Sequence, residues 1–200
     1  MSRNNKEKET KIESKKKDSI SENITEKNRK KRQKISRDEK RFVTHYISNT
    51  AKIGKNVKIW HYAYVGDNTE IGKNVMIGSL AHIDYNVKIG NNTRIEGSVY
   101  IPPLTVIGKN VFIGPGATFT NDPYPMSPKM IGTVVKDGAI IAARAVIKPG
   151  ILIGKNSVVG MGSVVTKDVP EETVVIGHPA KVVYSRKEYD KKKSEWESKM

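Results

Sequence analysis

The chain has 200 residues, room for one ordinary domain plus tails, and aromatics form only 6% of it, too few for a conventional aromatic-rich core. It contains no cysteine, which excludes disulfides and thiolate metal sites. Its net charge of +15 is concentrated at one end, because residues 1–41 hold sixteen Lys/Arg against eight Asp/Glu.

Residues 1–42 therefore read as a basic tail. Mixed charges and very few large apolar side chains leave it unable to bury a core of its own. Two expectations follow: a solvated extension, or an arm for nucleic acid or an anionic membrane face. Lys, Glu, Gln and Arg tolerate helix, so local helix is compatible with residues 22–41. Lysines and glutamates fill the segment where a signal peptide would carry its apolar centre. No apolar run approaches the roughly 20 residues that span a bilayer. A soluble cytoplasmic protein is the expectation.

From residue 43 a strict beat sets in. Ile47, Ile53, Ile59, Val65, Ile71, Ile77, Ile83, Ile89, Ile95, Ile101, Ile107, Ile113 and Phe119 fall six residues apart. After one interruption the beat resumes at Val135, Ile141, Ile147, Ile153, Val159 and Val165. Neither helix (period 3.6) nor simple strand (period 2) accounts for a period of six; a stacked, quasi-one-dimensional repeat does. Small or β-branched residues stand two places before the beat, as at Ala51, Val57, Ala63, Thr69, Val75, Ala81 and Val87. They supply a second inward position for a narrow prism. Asn recurs three places after the beat, at Asn56, Asn68, Asn74, Asn86, Asn92, Asn110 and Asn156. Asn is the non-glycine residue most tolerant of left-handed backbone, so these positions predict tight corners between short strands.

The interruption, Thr120-Asn121-Asp122-Pro123-Tyr124-Pro125-Met126-Ser127-Pro128-Lys129-Met130, has three prolines and no periodicity. It predicts a loop over residues 120–134 that leaves the prism wall. A charged segment, 185–200, closes the chain and is expected to be helical.

These repeats resemble the hexapeptide-repeat acyltransferases, and the resemblance covers residues 43–184. It implies an all-β fold, a left-handed parallel β-helix in which three hexapeptides make one triangular coil. Nineteen rungs then give about six coils and a prism roughly 29 Å tall. The handedness comes from the resemblance alone, since parallel crossovers are normally right-handed. It further implies a homotrimer whose projecting loop reaches a neighbouring subunit.

The run Val111-Phe112-Ile113-Gly114-Pro115-Gly116 through Phe119-Thr120-Asn121-Asp122 is similar to the nucleotide-sugar N-acetyltransferases, which acetylate an amine on a UDP- or dTDP-linked amino sugar. An arginine common in that family near 126–127 is absent here, where Met126 and Ser127 stand. The O-acetylating branch places a histidine where this chain has Asp122. A hydroxyl needs such a base, whereas a deprotonated amine brings its own lone pair. The resemblance thus favours N- over O-acetyl transfer, with O-transfer as an alternative and a non-catalytic scaffold with a nucleic-acid-binding tail as another. It makes Asn121 and Asp122 the candidate catalytic residues, orienting the amine or taking its proton; both residue types also shape turns.

Val164-Val165-Thr166-Lys167-Asp168-Val169-Pro170 and Gly177-His178-Pro179-Ala180-Lys181 resemble the family's closing signature. By position it implies acetyl-CoA as co-substrate, contacted by Ala143, Met161, Thr166, Lys167 and Lys181, the lysines meeting phosphate as point charges. No metal site is expected, because His45, His61, His82 and His178 share no ligand spacing. His61, beside Trp60, reads as a wall residue.

Overall fold

A computed structural model describes residues 44–199, so the basic tail expected over 1–42 lies outside the described residues. Nineteen two-residue strands run from β1 (Tyr46–Ile47) to β19 (Val164–Val165), and each ends on a residue of the six-residue beat. Between strands the chain turns sharply, and the corner asparagines take up the left-handed backbone, with φ of 54–59° at Asn56, Asn68, Asn74, Asn86, Asn92, Asn110 and Asn156. Tyr62, Leu80, Ser98, Leu104 and Arg144 hold the same conformation without being asparagine.

Every third strand pairs in parallel, giving three walls of seven, six and eight strands. The first wall stacks the strands that begin at Tyr46, Tyr64, His82, Tyr100, Thr118, Val146 and Val164. Its register is exact through the interruption: Phe119 pairs with Ile147 just as Val65 pairs with Ile83. The loop therefore bulges from one corner without disturbing the stack. We call that corner, between the seven-stranded and six-stranded walls, the first corner. The second follows the six-stranded wall, and the third lies between the eight-stranded wall and the first.

The core is a column of Ile and Val with Phe119 as its largest side chain, all fully enclosed from Val65 upward. The second inward positions fill with Ala, Val, Thr and Ser, and several of their hydroxyls find nearby carbonyls: Thr69 donates to Asp84 (2.8 Å), Thr93 to Gly108 (2.9 Å) and Ser157 to Gly154 (2.7 Å), while the buried Thr133 hydroxyl has no partner among the described residues. The first coil is the open end of the stack, where Ile53 is 40% exposed. Along the second corner, Asn56, Asn74, Asn92 and Asn110 link their side-chain amides one to the next at 3.0–3.3 Å, each amide N–H donating upward to the next carbonyl. This ladder satisfies polar groups at a place where the turn already demands Asn.

The upper end is closed differently. Asp168 accepts the Leu152 backbone N–H (2.8 Å), supplying an acceptor where no further strand follows on that wall. The eight-stranded wall ends in an antiparallel hairpin, β20 (Thr173–Gly177) and β21 (Ala180–Ser185), which breaks the hexapeptide rhythm. Ser185 caps the helix α1 (Arg186–Glu197), accepting from the Glu188 N–H (3.2 Å). Arg186 fastens the helix to the prism by donating to the Asn156 and Gly138 carbonyls at 2.9 and 3.2 Å. Among the described residues no helix is long and apolar enough to cross a membrane.

Candidate functional site

Two features break the regularity of the upper prism, and the candidate residues divide between them. The first is the loop 120–133 at the first corner. Its return limb is squeezed against the coil below: a Cβ at Gly132 would stand 2.0 Å from the Leu104 carbonyl oxygen, so only glycine fits there. The outgoing limb is tied to the return limb by the Ile131 N–H donating to the Asn121 carbonyl (2.8 Å). The Asn121 side-chain N–H₂ donates to the Met130 sulfur (2.8 Å), which leaves its amide oxygen without a partner among the described contacts. Both Asp122 carboxylate oxygens are engaged, one by the Tyr124 N–H (2.9 Å), the other by the Ser127 N–H (3.1 Å). Asp122 thus holds the turn across the Pro123–Pro125 segment, while Asn121 keeps a free acceptor. At the tip, Tyr124 and Met126 are exposed, Met126 completely.

The second feature is the third corner in the upper coils. Gly114-Pro115-Gly116, Ala142-Ala143-Arg144 and Gly160-Met161-Gly162 stack there, with the Arg144 N–H bonded to Pro115 and the Gly162 N–H to Ala143 (both 2.9 Å). Part of this smallness is structural: a Cβ on Gly114 would come within 2.6 Å of the Ala143 nitrogen, and one on Gly160 within 2.8 Å of Ile176. Gly162 is different. Its φ of +65° calls for glycine, and nothing lies within 4 Å of where a Cβ would stand, so the corner presents bare backbone to the outside.

Of the expected CoA contacts, the structure brings Ala143 and Met161 together on adjacent coils of this corner. Lys181 lies on β21 opposite Ile176, beside the same corner. Thr166 and Lys167 follow β19 and lie instead at the first corner, two coils above the loop. The two groups flank the upper first wall, whose outward residues there are Val146 and Val164. One cation escapes the sequence reading. Arg144 is exposed beside Ala143 and Met161, in the left-handed corner position that Asn or Gly usually fills. That misfit between residue and corner was its only signal. Among the histidines, His61 bonds through Nδ1 to the Thr44 hydroxyl (2.6 Å) at the opposite end of the stack.

Comparison with known proteins places this geometry. The bacterial transferase hexapeptide family (six repeats) matches residues 50–85, 86–121 and 132–167, over half of the chain, and the unmatched gap falls in the loop. The 2,3,4,5-tetrahydropyridine-2,6-dicarboxylate N-acetyltransferase of Halalkalibacterium halodurans is 49% identical over 87 residues, 44% of this chain and 35% of that protein. The chain thus spans about a third of the length of the curated relatives it matches. A galactoside acetyltransferase solved in complex with coenzyme A is 26% identical, with a TM-score of 0.50 and coverage of 70% of this chain and 68% of the other. The polysialic-acid-specific acetyltransferase NeuO shares the fold at 19% identity, with a TM-score of 0.54 and coverage of 72% and 81%. With its repeats matched on both sides of the loop and its three walls in unbroken register, this chain belongs to the bacterial transferase hexapeptide family, and its prism is a left-handed parallel β-helix.

Proposed function

We propose that the chain is an acetyl-CoA-dependent N-acetyltransferase acting on the amine of a UDP- or dTDP-linked amino sugar. The observation that carries this reading is the loop: it presents an amide oxygen, Asn121 Oδ1, that has no partner among the described residues, and no imidazole. A neutral amine needs an acceptor to orient it and no base to create its lone pair. The amine nitrogen attacks the thioester carbonyl carbon, the new N–C bond forms, the C–S bond breaks, and CoA departs as thiolate. The excess proton on nitrogen leaves with that thiolate. Asp122, with both oxygens occupied by loop N–H groups, acts as a positioning residue that sets the height of Asn121.

The bare corner at Ala143, Met161 and Gly162 suits the thin pantetheine arm, and Lys167, Lys181 and Arg144 suit its phosphates. The curated relatives named N-acetyltransferases and the CoA-bound galactoside enzyme support the same donor. O-acetyl transfer is the second reading, favoured by the fold likeness to a galactoside enzyme but lacking a loop histidine. We place the working unit as a homotrimer, because the exposed Tyr124 and Met126 stand clear of their own prism and need a neighbouring copy to cover them.

The test is kinetic. Lys167→Ala should raise KM for acetyl-CoA roughly tenfold while kcat stays within about twofold, since a phosphate contact is made equally in ground and transition states. Failure of the unaltered chain to bind acetyl-CoA in a calorimetric titration would leave a scaffold as the better description.

A further inference from the structure

Below the loop, the outward side of the first wall carries rings rather than charges. Tyr46, Tyr64, His82 and Tyr100 occupy four successive rungs. Their centroids are 5.0, 4.5 and 5.5 Å apart; the first three rings are nearly parallel, and Tyr100 is tilted 46° from His82. Most ring faces are therefore covered by the next ring in the column. The upper face of Tyr100, like the lower face of Tyr46 at the other end, has no ring over it, because the next rung holds Thr118, a small residue whose hydroxyl turns back to the Gly116 carbonyl (3.3 Å). Rungs lie about 4.8 Å apart, which leaves room over Tyr100 for a ring, and the C–H face of a pyranose chair suits the face of a phenol.

Tyr100 is also aimed. Its hydroxyl donates to Asp84 Oδ2 (3.4 Å), and Asp84 stands in the first-corner column beneath Thr120, where the loop departs. Asp84 is itself fixed, its Oδ1 accepting the Tyr85 N–H (2.9 Å) and its carbonyl the Thr69 hydroxyl (2.8 Å). Burial, and then the Asp84 charge, push the Tyr100 phenol above its ordinary value, so it stays a neutral donor on that tether.

We propose that Tyr100 is the platform on which the ring of the acceptor sugar stacks, so that the sugar's amine meets Asn121 two residues past the end of the same wall's next rung. This rests on the acceptor reading above. The chemistry of the wall selects a ring over a phosphate: its outward positions are Tyr46, Tyr64, His82, Tyr100, Thr118, Val146 and Val164, with no Lys or Arg among them, and the carboxylate of Asp84 faces the column. The nucleotide diphosphate must accordingly leave this wall, while the sugar stays on it.

The experiment is steady-state kinetics on the full chain with whichever UDP- or dTDP-linked amino hexose the unaltered protein acetylates, together with sedimentation. Tyr100→Ala should raise KM for that acceptor about tenfold to a hundredfold, the range known for planar rings stacked on an aromatic side chain, and leave KM for acetyl-CoA and the sedimenting mass unchanged. Tyr100→Phe keeps the ring and should stay within about threefold of the unaltered acceptor KM. An unchanged acceptor KM in Tyr100→Ala, in a protein that still transfers acetyl, overturns the platform alone. A fall in mass would make Tyr100 a contact between copies and overturn it as well. No transfer to any amino hexose by the unaltered chain overturns the acceptor reading and the platform with it.

Discussion

Asn121→Ala is expected to lower kcat for amine acetylation by about tenfold to 10⁴-fold and to leave KM for acetyl-CoA nearly unchanged. The asymmetry follows from where the side chain is. Asn121 lies on the loop, with its amide nitrogen held by the Met130 sulfur and its oxygen without a partner among the described residues, whereas Ala143 and Met161 lie on a different corner and Thr166 and Lys167 two coils above. The paired variants at Asp122 separate orientation from proton transfer. Asp122→Ala removes acceptors from the Tyr124 and Ser127 N–H groups and should lower kcat by loosening the turn. Asp122→Asn keeps one of the two acceptor oxygens and has no basicity, so it should retain part of the activity that Asp122→Ala loses. If Asp122→Asn were as damaged as Asp122→Ala while its loop stayed ordered, the carboxylate would be taking the proton and the positioning role would be wrong.

The second large effect is on stability. Phe119→Ala removes the largest fully enclosed side chain, paired in register with Ile147 and two residues before Asn121. Core truncations of this kind cost about 3–5 kcal/mol, and a chain this size loses roughly 2–4 °C of Tm for each of those. A drop of about 6–20 °C is the expected calorimetric result. Tyr124→Ala, at a loop position 82% exposed in the single chain, should cost clearly less Tm than Phe119→Ala, because only a neighbouring copy covers it. Equal losses in the two variants would mean that the loop side chain is buried as completely as the core.

The difference between these residues also shows what could be read from the sequence. The ladder was legible because one physical requirement, an apolar side chain at each rung, repeats nineteen times and admits few residue types. The corners were legible because left-handed backbone selects Asn and Gly, yet Tyr62, Leu80 and Arg144 occupy the same conformation and gave no such warning. The hairpin of β20 and β21 was not legible, since it replaces the repeat with a single antiparallel pairing that has no period to detect. At the site, position in the chain correctly set the loop apart from the walls. It did not reveal that Thr166 and Lys167 share the loop's corner while Ala143 and Met161 do not, because corners alternate every six residues and which corner faces which is a property of the closed coil. The engagement of both Asp122 oxygens depends on the loop's own fold and could not be read from spacing.

The central claim is amide formation on a sugar amine, and the most direct measurement is of the product. The full chain would be incubated with acetyl-CoA and a panel of UDP- and dTDP-linked amino hexoses, and the acetylated product examined by mass spectrometry before and after hydroxylamine. The expected product carries one acetyl group on an amino hexose, retained after hydroxylamine because amides resist it. An acetyl group lost to hydroxylamine, and therefore an ester on a hydroxyl, would contradict amide formation.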